Sequence, residues 1–314
     1  MQFLSALLSS MPGAAAQGLI WGVMAIGVYI TYKILDVADL TVDGSLCTGG
    51  AVCVILTLNG CPMPVALIAA VIAGMLAGFV TGIFHTAFGI PAILAGILTP
   101  LALYSVNLHI MGWGTDNGSK ANLPISVDKY KLLVSSRYVR DIKVDNPIFI
   151  LAIFLIIIIF VLYWFFGTEL GSSLRATGAN GNMARAQGIN TNFTKVLGLM
   201  ISNGLVALSG ALLSQYQGFS DINMGRGAIV IGLAAVIIGE VIFDKIFRNF
   251  GLKLLSCVIG AVIYYVVIQI VLKMGLSTDD LKLLTAVVVA LFLAIPYWKG
   301  KYFNKAKKGA QTNA

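Results

Sequence analysis

Three carboxylates, Asp39, Asp43 and Glu240, stand at or near the ends of long apolar segments of the chain. An ionised carboxylate inside a lipid bilayer is costly, and one that is kept there commonly serves an ion or substrate pathway. The cost falls near the membrane surface, where capping of a helix N-terminus by Asp39 or Asp43 is an ordinary structural role. The sequence leaves both interpretations open.

Uncharged polar side chains also occur within or just beyond the apolar segments. Tyr104 and Asn107 belong to one segment, Asn203 lies in another, and Gln215 and Gln217 follow near its end. Hydrogen bonding between helices is one task for such groups, and lining a substrate passage is the other. The predicted substrate pathway consists of Asp39, Thr41, Asp43, Asn203 and Asn223.

No arrangement of residues that supports catalysis is visible. The two histidines, His85 and His109, belong to opposite ends of neighbouring segments, which argues against a metal site. The four cysteines do not have the spacing of metal ligands, and we interpret them as small apolar residues of the core. A GxxxxGK(S/T) phosphate loop and a Ser/His/Asp set are both absent from the sequence. We therefore predict no catalytic residues, metal or cofactor, and any ATP must be hydrolysed by another chain.

The amino-acid composition indicates whether the apolar segments belong to a soluble protein or to a membrane protein. Apolar residues make up 58% of the chain and charged residues 11%, against about 25% charged in soluble proteins. The net charge of +8 does not indicate nucleic-acid binding, because five lysines follow the last apolar segment, as in a membrane-flanking tail. The chain is predicted to be an all-α, polytopic membrane protein.

Helix length sets the number of crossings, since a bilayer core requires about 20 predominantly apolar residues per helix. The sequence predicts nine spans, at residues 14–34, 41–60, 64–84, 88–110, 147–167, 193–216, 227–243, 252–272 and 281–298. Residues 1–13 lack the basic region of a signal peptide and predict a short amphipathic surface helix. One transmembrane domain, 1–314, thus comprises that helix, four spans in 14–110, a loop at 112–146, five spans in 147–298 and a tail at 299–314.

Basic residues in the short loops predict the orientation. Placing the C-terminal tail in the cytoplasm puts twelve Lys and Arg residues there and leaves only Arg226, Lys273 and Lys282 outside, apart from the long loop. The positive-inside rule then favours an external N-terminus and a cytoplasmic C-terminus. Loop 112–146 becomes an extracytoplasmic cap, either a surface for a soluble partner or a solvated connection, and segment 168–192 faces the cytoplasm.

Two of the predicted spans resemble each other. One opens with Asp39-Leu-Thr-Val-Asp-Gly-Ser and the other follows Asp221-Ile-Asn-Met-Gly-Arg-Gly; Gly50 and Gly232 each fall eleven residues after the leading aspartate. Five crossings separate the two starts, so the segments enter from opposite sides, as inverted repeats do. Corresponding Gly-interrupted segments indicate a transport pathway, and chance similarity between Gly-rich spans is the alternative.

Glycines at four-residue spacing predict close helix packing. Gly74, Gly78 and Gly82 form a tandem GxxxG pattern in the third span, and Gly18 and Gly22 form another in the first. Such patterns allow two helix backbones to approach closely. The spacing leaves open whether the contact is within the chain or between two chains.

Segment 168–192 is polar and too short to bury a core of its own. We therefore expect it to meet a partner outside the chain through a short docking helix. The residues of this predicted helix are Asn180, Asn182, Met183, Ala184, Arg185, Ala186, Gln187 and Gly188. Either asparagine can cap its start and the glycine can end it, giving about two turns. Met183 and Ala186 would lie on one edge with Arg185 free. A solvated loop that returns the chain is the alternative.

The opening of the second span carries a family resemblance. Asp39-Leu-Thr-Val-Asp-Gly-Ser is similar to an Asp-Leu-Ser-Val-Gly-Ser signature, with Thr41 in place of serine and Asp43 inserted before Gly44. The signature occurs in permease subunits of bacterial ABC importers of the branched-chain amino acid and ribose type, which residues 14–298 resemble.

The polar segment adds to this resemblance. Leu174-Arg-Ala-Thr-Gly, Asn180, Ala184 and Gly188-Ile-Asn are similar to the family's coupling segment, which docks into a groove on the ATPase. The resemblance therefore adds Arg175 to the docking residues.

Three further stretches resemble the subgroup of tryptophan/tyrosine permeases. They are Thr81-Gly-Ile-Phe-His-Thr, Leu94-Ala-Gly-Ile-Leu-Thr and Ala235-Val-Ile-Ile-Gly-Glu-Val, and Leu281-Lys-Leu-Leu-Thr-Ala adds to them.

The resemblance implies a subunit of the bacterial inner membrane that is no enzyme itself. Its partners would be cytoplasmic ATPases, an extracytoplasmic binding protein, and a second copy or a similar permease. The implied substrate is an aromatic or other hydrophobic amino acid, with a sugar or nucleoside as alternatives. From another class, an ion-coupled secondary transporter using Asp39, Asp43 or Glu240 is the rival.

Overall fold

The computed structural model describes residues 2–114, 118–126, 129–130, 132–139, 146–243, 246–274 and 280–298. These residues form α-helices α1 (Gln2–Tyr29), α2 (Val42–Leu58), α3 (Met63–Thr86), α4 (Ala92–Met111), α5 (Pro147–Gly167), α6 (Glu169–Ala179), α7 (Gly181–Ala186), α8 (Thr191–Gln217), α9 (Ala228–Phe243), α10 (Phe250–Lys273) and α11 (Leu281–Trp298). A π-helical turn, Ile30–Ile34, extends α1, and strands β1 (Asn122–Pro124) and β2 (Phe219–Asp221) pair antiparallel. The predicted tail, 299–314, lies outside the described residues.

Each of the nine predicted spans corresponds to a helix, and the all-helical membrane fold is confirmed. Among the described residues, six helical stretches are long and apolar enough to cross a bilayer: Ser9–Ile34, Met63–Thr86, Ala92–Met111, Pro147–Gly167, Thr191–Gln217 and Phe250–Lys273. α2 and α9 are shorter, with 17 and 16 residues. The number of nine complete crossings therefore stays a prediction.

The N-terminal segment differs from its prediction. α1 runs without interruption from Gln2 to Tyr29, with Pro12 inside it, so residues 2–13 are continuous with the helix of the first span and do not form a separate helix. The helical hydrogen bonding of the backbone continues from residues 2–13 into the apolar segment that follows, so no break separates them. Whether these turns lie at a membrane surface stays a prediction.

The bundle is formed by two halves of the chain, one with α1–α4 and the other with α8–α11. α1 and α8 cross as antiparallel neighbours, and the hydroxyls of Ser202 and Ser209 donate to the carbonyls of Gly27 and Ile20, both at 2.8 Å. Each of these helices leads through a non-helical segment into one short helix, α1 into α2 and α8 into α9. We name residues 35–41 and 218–227 the lead-ins. Such backbone is tolerated at membrane depth only where protein or a cavity surrounds it.

The short helices pack on equivalent partners in the two halves. α2 runs along α8 and α9 runs along α1. Gly50 accordingly faces Ser214 of α8, whereas Gly232 faces Val28 of α1. Each glycine therefore faces the long helix of the other half, while the inverted repeat itself stays a prediction.

The tandem GxxxG pattern is used within the chain. A Cβ atom added at Gly74 or Gly78 would overlap backbone atoms of α8, and one at Gly82 would lie 3.0 Å from Val196 Cα. Gly18 and Gly22 lie in the same way against Val262 and Val258 of α10. Both glycine patterns therefore form contacts within one chain, and each contact joins a helix of one half to a helix of the other.

Described residues of the long loop contact the end of α8. β1 of the loop pairs with β2, and the Gln215 side chain accepts a hydrogen bond from Leu133 N at 3.1 Å. Leu123 and Ile125 are buried against Ala51 and Val54 of α2. We name this side of the bundle the sheet end and the opposite side, where α7 lies, the α7 end.

Replacement of Gly78 tests the packing of α3 on α8. Gly78→Ala places a Cβ against the Leu199 carbonyl, and overpacking of this kind costs about 1–3 kcal/mol. We expect a lower unfolding temperature of the purified protein in detergent. The matched control, Gly167→Ala, adds its Cβ in open space and should leave the transition unchanged. Equal transitions for the two variants would contradict the close contact.

Candidate functional site

The N-termini of the two short helices meet inside the bundle. Asp43, in the first turn of α2, accepts hydrogen bonds from Gly227 N and from Ile229 N, both at 3.0 Å. The first backbone N–H groups of a helix lack partners within it, and a carboxylate there also meets the positive end of the helix dipole. Asp43 therefore caps a helix, as one interpretation predicted, but the capped helix is α9 of the opposite half.

The lead-in of α9 lies directly on α2. Gly225 N donates to Cys47 Sγ at 3.2 Å, and Cys47 Sγ donates to the Ile222 carbonyl at 3.2 Å. A Cβ on Gly225 would overlap the Asp43 carbonyl oxygen. Since α2 runs toward the sheet end and α9 toward the α7 end, this junction joins two half-helices that point away from each other. Transporters use this arrangement at substrate and ion sites.

The lead-in of α2 is closed by a buried polar network. Asp39 is 3% exposed; its carboxylate accepts from Thr41 N at 2.9 Å and from Asn203 Nδ2 at 2.7 Å. Ser45 Oγ donates to Asn203 Oδ1 at 2.6 Å. Asn203 is the thirteenth residue of α8, about 18 Å from its start, so this network lies deep in the bundle.

A chain of three hydroxyls continues from this network. Thr41 Oγ1 and Thr81 Oγ1 are 2.8 Å apart, and Thr81 donates to Thr99 Oγ1 at 2.8 Å. All three side chains are buried. The chain ties the α2 lead-in to α3 and α4 and provides partners for polar atoms that water cannot reach.

One cavity opens beside the junction. It has a volume of about 560 Å³ and lies between α2, α4 and the α9 lead-in. Its lining residues are Leu40, Asp43, Gly44, Cys47, Gly96, Ile97, Pro100, Leu101, Tyr104, Asn107, Ile222 and Arg226. A volume of this order is typical of small-molecule sites.

The predicted pathway residues separate into two groups. Asp43 lines the cavity. Asp39, Thr41 and Asn203 do not line it, and their polar groups are hydrogen-bonded to one another in the buried network. Asn223 is exposed in the α9 lead-in, where its N–H donates to Asp221 Oδ1 at 2.7 Å. A role of these residues in substrate passage stays a prediction. Arg226 and Asn107 were left out of the predicted pathway, although Asn107 was recognised as a polar group at membrane depth.

The third carboxylate, Glu240, lies away from the junction. It forms an ion pair with Lys33 at 2.9 Å, near the ends of α1 and α9. The two histidines also stay apart, since His85 Nδ1 bonds the Ile90 carbonyl and His109 Nδ1 bonds the Gly118 carbonyl. Within the described ranges, His, Cys, Asp and Glu residues form no group of three that could hold a metal.

The segment that the sequence predicts to dock on a partner forms two helices, α6 and α7, which we name the docking element. Asn180 Oδ1 accepts from Met183 N at 3.1 Å and caps α7, and Gly188 adopts a positive φ of 84° just after it. The cap at Asn180, the short length of the helix and the glycine stop are confirmed, while Asn182 lies inside α7 and is exposed. Met183 is 63% exposed, whereas its neighbour Ala184 is buried.

Arg185 is not free, and this part of the prediction was wrong. Its Nη2 and Nε donate to Thr191 Oγ1 at 2.9 and 3.3 Å. The side chain thereby links α7 to the first residue of α8. Gln187 follows α7 and is exposed.

The helix α6 was not predicted. Thr168 caps it by accepting from Gly171 N at 3.4 Å, but threonine, serine and glycine in its sequence favour a loop. Tertiary contacts hold it: Thr177 Oγ1 lies 2.9 Å from Thr194 Oγ1, and the Arg175 guanidinium lies 4.3 Å from the Phe250 ring centroid. Arg175 therefore joins α6 to α10.

Comparison with known proteins adds to this geometry. Residues 10–296 match the family model described as branched-chain amino acid transport system / permease component. The tyrosine transport system permease protein of Clostridioides difficile (strain R20291) is 41% identical over 287 residues, 91% of each chain. The ribose import permease protein RbsC of Escherichia coli (strain K12) is 24% identical over 87% of this chain and 81% of its own. PsaBC from Streptococcus pneumoniae in complex with Fab covers 97% of this chain and 99% of its own, with 16% identity and a TM-score of 0.52, a likeness of fold alone.

Removal of one charge tests the junction. In Asp43→Asn, an amide group replaces one of the two acceptor oxygens that face Gly227 N and Ile229 N. Because hydrogen bonds to charged groups contribute about 1.5–3 kcal/mol, we expect a clearly lower unfolding temperature in detergent. Asp36→Asn makes the same chemical change at an exposed position and should have little effect. Equal stability of the two variants would remove Asp43 as the cap of α9.

Proposed function

Because the chain belongs to the family of branched-chain amino acid transport system permease components, we propose that it is the membrane-spanning subunit of an ATP-binding cassette importer. It translocates a small solute, an aromatic or other hydrophobic amino acid, that an extracytoplasmic binding protein delivers. The α7 end faces the cytoplasm, with the N-terminus outside and the C-terminus inside. ATP is hydrolysed by a partner ATPase bound at the docking element.

The contacts of the docking element with the start of the α2 lead-in and with α8 carry this proposal. Gly178 of α6 lies against the Ile34 carbonyl, directly before the α2 lead-in, and a Cβ there would overlap it. Leu35 in turn lies against Gly198 of α8. A movement imposed on α6 and α7 is therefore passed on to α1, α8 and the α2 lead-in, which borders the cavity through Leu40.

The exposed edge of α7 suits a protein partner. Met183 presents a flexible apolar side chain to solvent, and the α7 backbone beneath it is held by the buried Ala184 and by the Arg185 contact with Thr191. Methionine adapts its shape to a groove, as interfaces with other proteins often require. Because the α7 backbone is held in place, a partner bound to Met183 can transmit its movement to the bundle.

The substrate class rests on the relative and on the cavity. The relative from Clostridioides difficile is described as a tyrosine transport permease, and the cavity has a mainly apolar lining with one aromatic ring, Tyr104. A sugar or nucleoside is the alternative, since the relative from Escherichia coli is described as a ribose permease. The apolar lining favours the amino acid.

A second permease subunit would cover the open side of the cavity. α4 is largely exposed along this side, including Ile97, Leu101 and Tyr104 at 41%, 65% and 43% exposure. A homodimer, or a pair with a similar permease, would place two such faces around one passage.

The rival hypothesis of an ion-coupled secondary transporter gains little from the carboxylates. Asp39 is bound by Thr41 and Asn203, Asp43 caps α9, and Glu240 pairs with Lys33. Each therefore has a structural task. Ion-driven uptake in proteoliposomes that is lost when all three are neutralised would favour this rival.

Reconstitution with and without the ATPase tests the proposed function. Proteoliposomes that contain the permease, its ATPase and the binding protein should accumulate labelled L-tyrosine only with ATP. Omission of the ATPase should abolish uptake, because the chain contains no phosphate-binding loop. Uptake that persists without nucleotide or ATPase would remove the proposal.

A charge on the exposed edge of α7 tests the docking site. We expect Met183→Asp to weaken ATPase association and uptake about tenfold or more, since a central interface residue contributes about 2 kcal/mol or more. Met274→Asp is the matched control, because Met274 is equally exposed, at 70%, beyond the far end of α10. Co-purification and ATP-dependent uptake measure the two effects. Normal coupling in Met183→Asp would place the ATPase elsewhere.

A further inference from the structure

The cavity contains a polar atom whose hydrogen-bonding capacity is unused. Among the described residues, Asn107 Oδ1 is the one buried side-chain nitrogen or oxygen without a hydrogen-bond partner. Asn107 is 1% exposed and lines the cavity. A buried acceptor without a partner is destabilising and requires an explanation.

Other polar residues of the bundle interior contrast with Asn107. Asn203 bonds Asp39, Ser45 and the Leu199 carbonyl, and Gln215 bonds Leu133 N and Cys53. These amides complete the fold. Asn107 closes no network of this kind, so its carbonyl group is available to a ligand.

The two charged side chains of the cavity, Asp43 and Arg226, also differ in whether the fold already provides a partner for them. The Asp43 carboxylate is directed to the α9 N-terminus, where two backbone N–H groups and the helix dipole offset its charge. Arg226 is exposed on the α9 lead-in and forms no ion pair within the described residues. A guanidinium group presents a planar fork of donors that matches a carboxylate.

We propose that this cavity binds the transported solute directly, as a zwitterionic α-amino acid. Asn107 Oδ1 accepts a hydrogen bond from the ammonium group, and the Arg226 guanidinium binds the carboxylate. Ile97, Leu101 and Tyr104 contact the side chain of the solute. The inference rests on the proposed function and adds a substrate site on the permease, separate from any site on the binding protein.

A zwitterion fits the lining better than a sugar does. A sugar presents hydroxyl groups on every side, and each buried hydroxyl requires a partner. The cavity provides few polar groups, and most of its lining is apolar, as in Leu40, Pro100 and Ile222. An amino acid concentrates its polar groups at one end, where an acceptor and a cation suffice, and leaves an apolar side chain for the wall.

The test measures binding of labelled L-tyrosine to the permease–ATPase complex in nanodiscs, with the binding protein omitted. We expect saturable binding to the wild-type complex. Asn107→Leu removes the acceptor and should weaken binding about tenfold or more, as expected for loss of a hydrogen bond to a charged group. Its unfolding temperature should stay the same or rise, because a buried unpartnered carbonyl has been removed. A purely structural asparagine would lower stability and binding together.

Competitors that lack one charged group assign each residue. Tyramine lacks the carboxylate, and 3-(4-hydroxyphenyl)propanoate lacks the ammonium group. The wild-type complex should reject both in favour of L-tyrosine. Asn107→Leu should lose discrimination against the propanoate alone, and Arg226→Gln against tyramine alone. Asn59→Leu and Arg137→Gln, at exposed positions outside the cavity, should behave as wild type.

The outcomes separate this inference from the proposed function. Absence of saturable binding to the wild-type complex, or unchanged affinity and discrimination in Asn107→Leu and Arg226→Gln, would overturn the inference. ATP-dependent uptake by the complete wild-type assembly would still support the importer in that case. Failure of this uptake would instead remove the proposed function.

Discussion

The structure depends on how backbone groups find partners at membrane depth. Two helices begin inside the bundle, so their first N–H groups cannot be hydrated by bulk water, and each unsatisfied group would be costly there. Asp43 of one half supplies the acceptor for α9 of the other half. The start of α9 is therefore completed by the other half of the chain.

This requirement explains where the polar residues of the interior lie. Asp39, Thr41, Ser45 and Asn203 close the α2 lead-in, and the hydroxyls of Thr81 and Thr99 extend the network into α3 and α4. Three of the predicted pathway residues, Asp39, Thr41 and Asn203, are thus hydrogen-bonded within the fold. Asn107 and Arg226, which the described network does not use, line the cavity beside the junction.

The α2 lead-in lies between the cavity and the docking element. α6 contacts the end of α1, the start of α8 through Thr177 and Thr194, and the start of α10 through Arg175 and Phe250. Close glycine contacts make α3 with α8, and α1 with α10, into stiff pairs. The α2 lead-in lies between the docking element and the cavity, since it follows the Ile34 contact with Gly178 and borders the cavity through Leu40.

Much of the fold follows from the sequence alone, because long apolar runs in lipid must form helices. The helices, the GxxxG contacts, the corresponding positions of Gly50 and Gly232, the Asn180 cap and the stop at Gly188 depend on residues near each other in the chain or on simple periodicity. Family membership was also predictable, since its motifs are local. The α6 helix was missed because its own residues favour a loop and its stability comes from α8 and α10.

Tertiary structure decided which partner each polar group has. Asp43 and Gly227 are separated by 184 residues, so no local pattern shows that this carboxylate caps the opposite half. Asn203 and Asn107 look alike in sequence, yet one is saturated by hydrogen bonds and the other is not. The sequence by itself determined where the chain is helical. Only the packing of the two halves determined which polar atoms are used by the fold and which remain for a ligand.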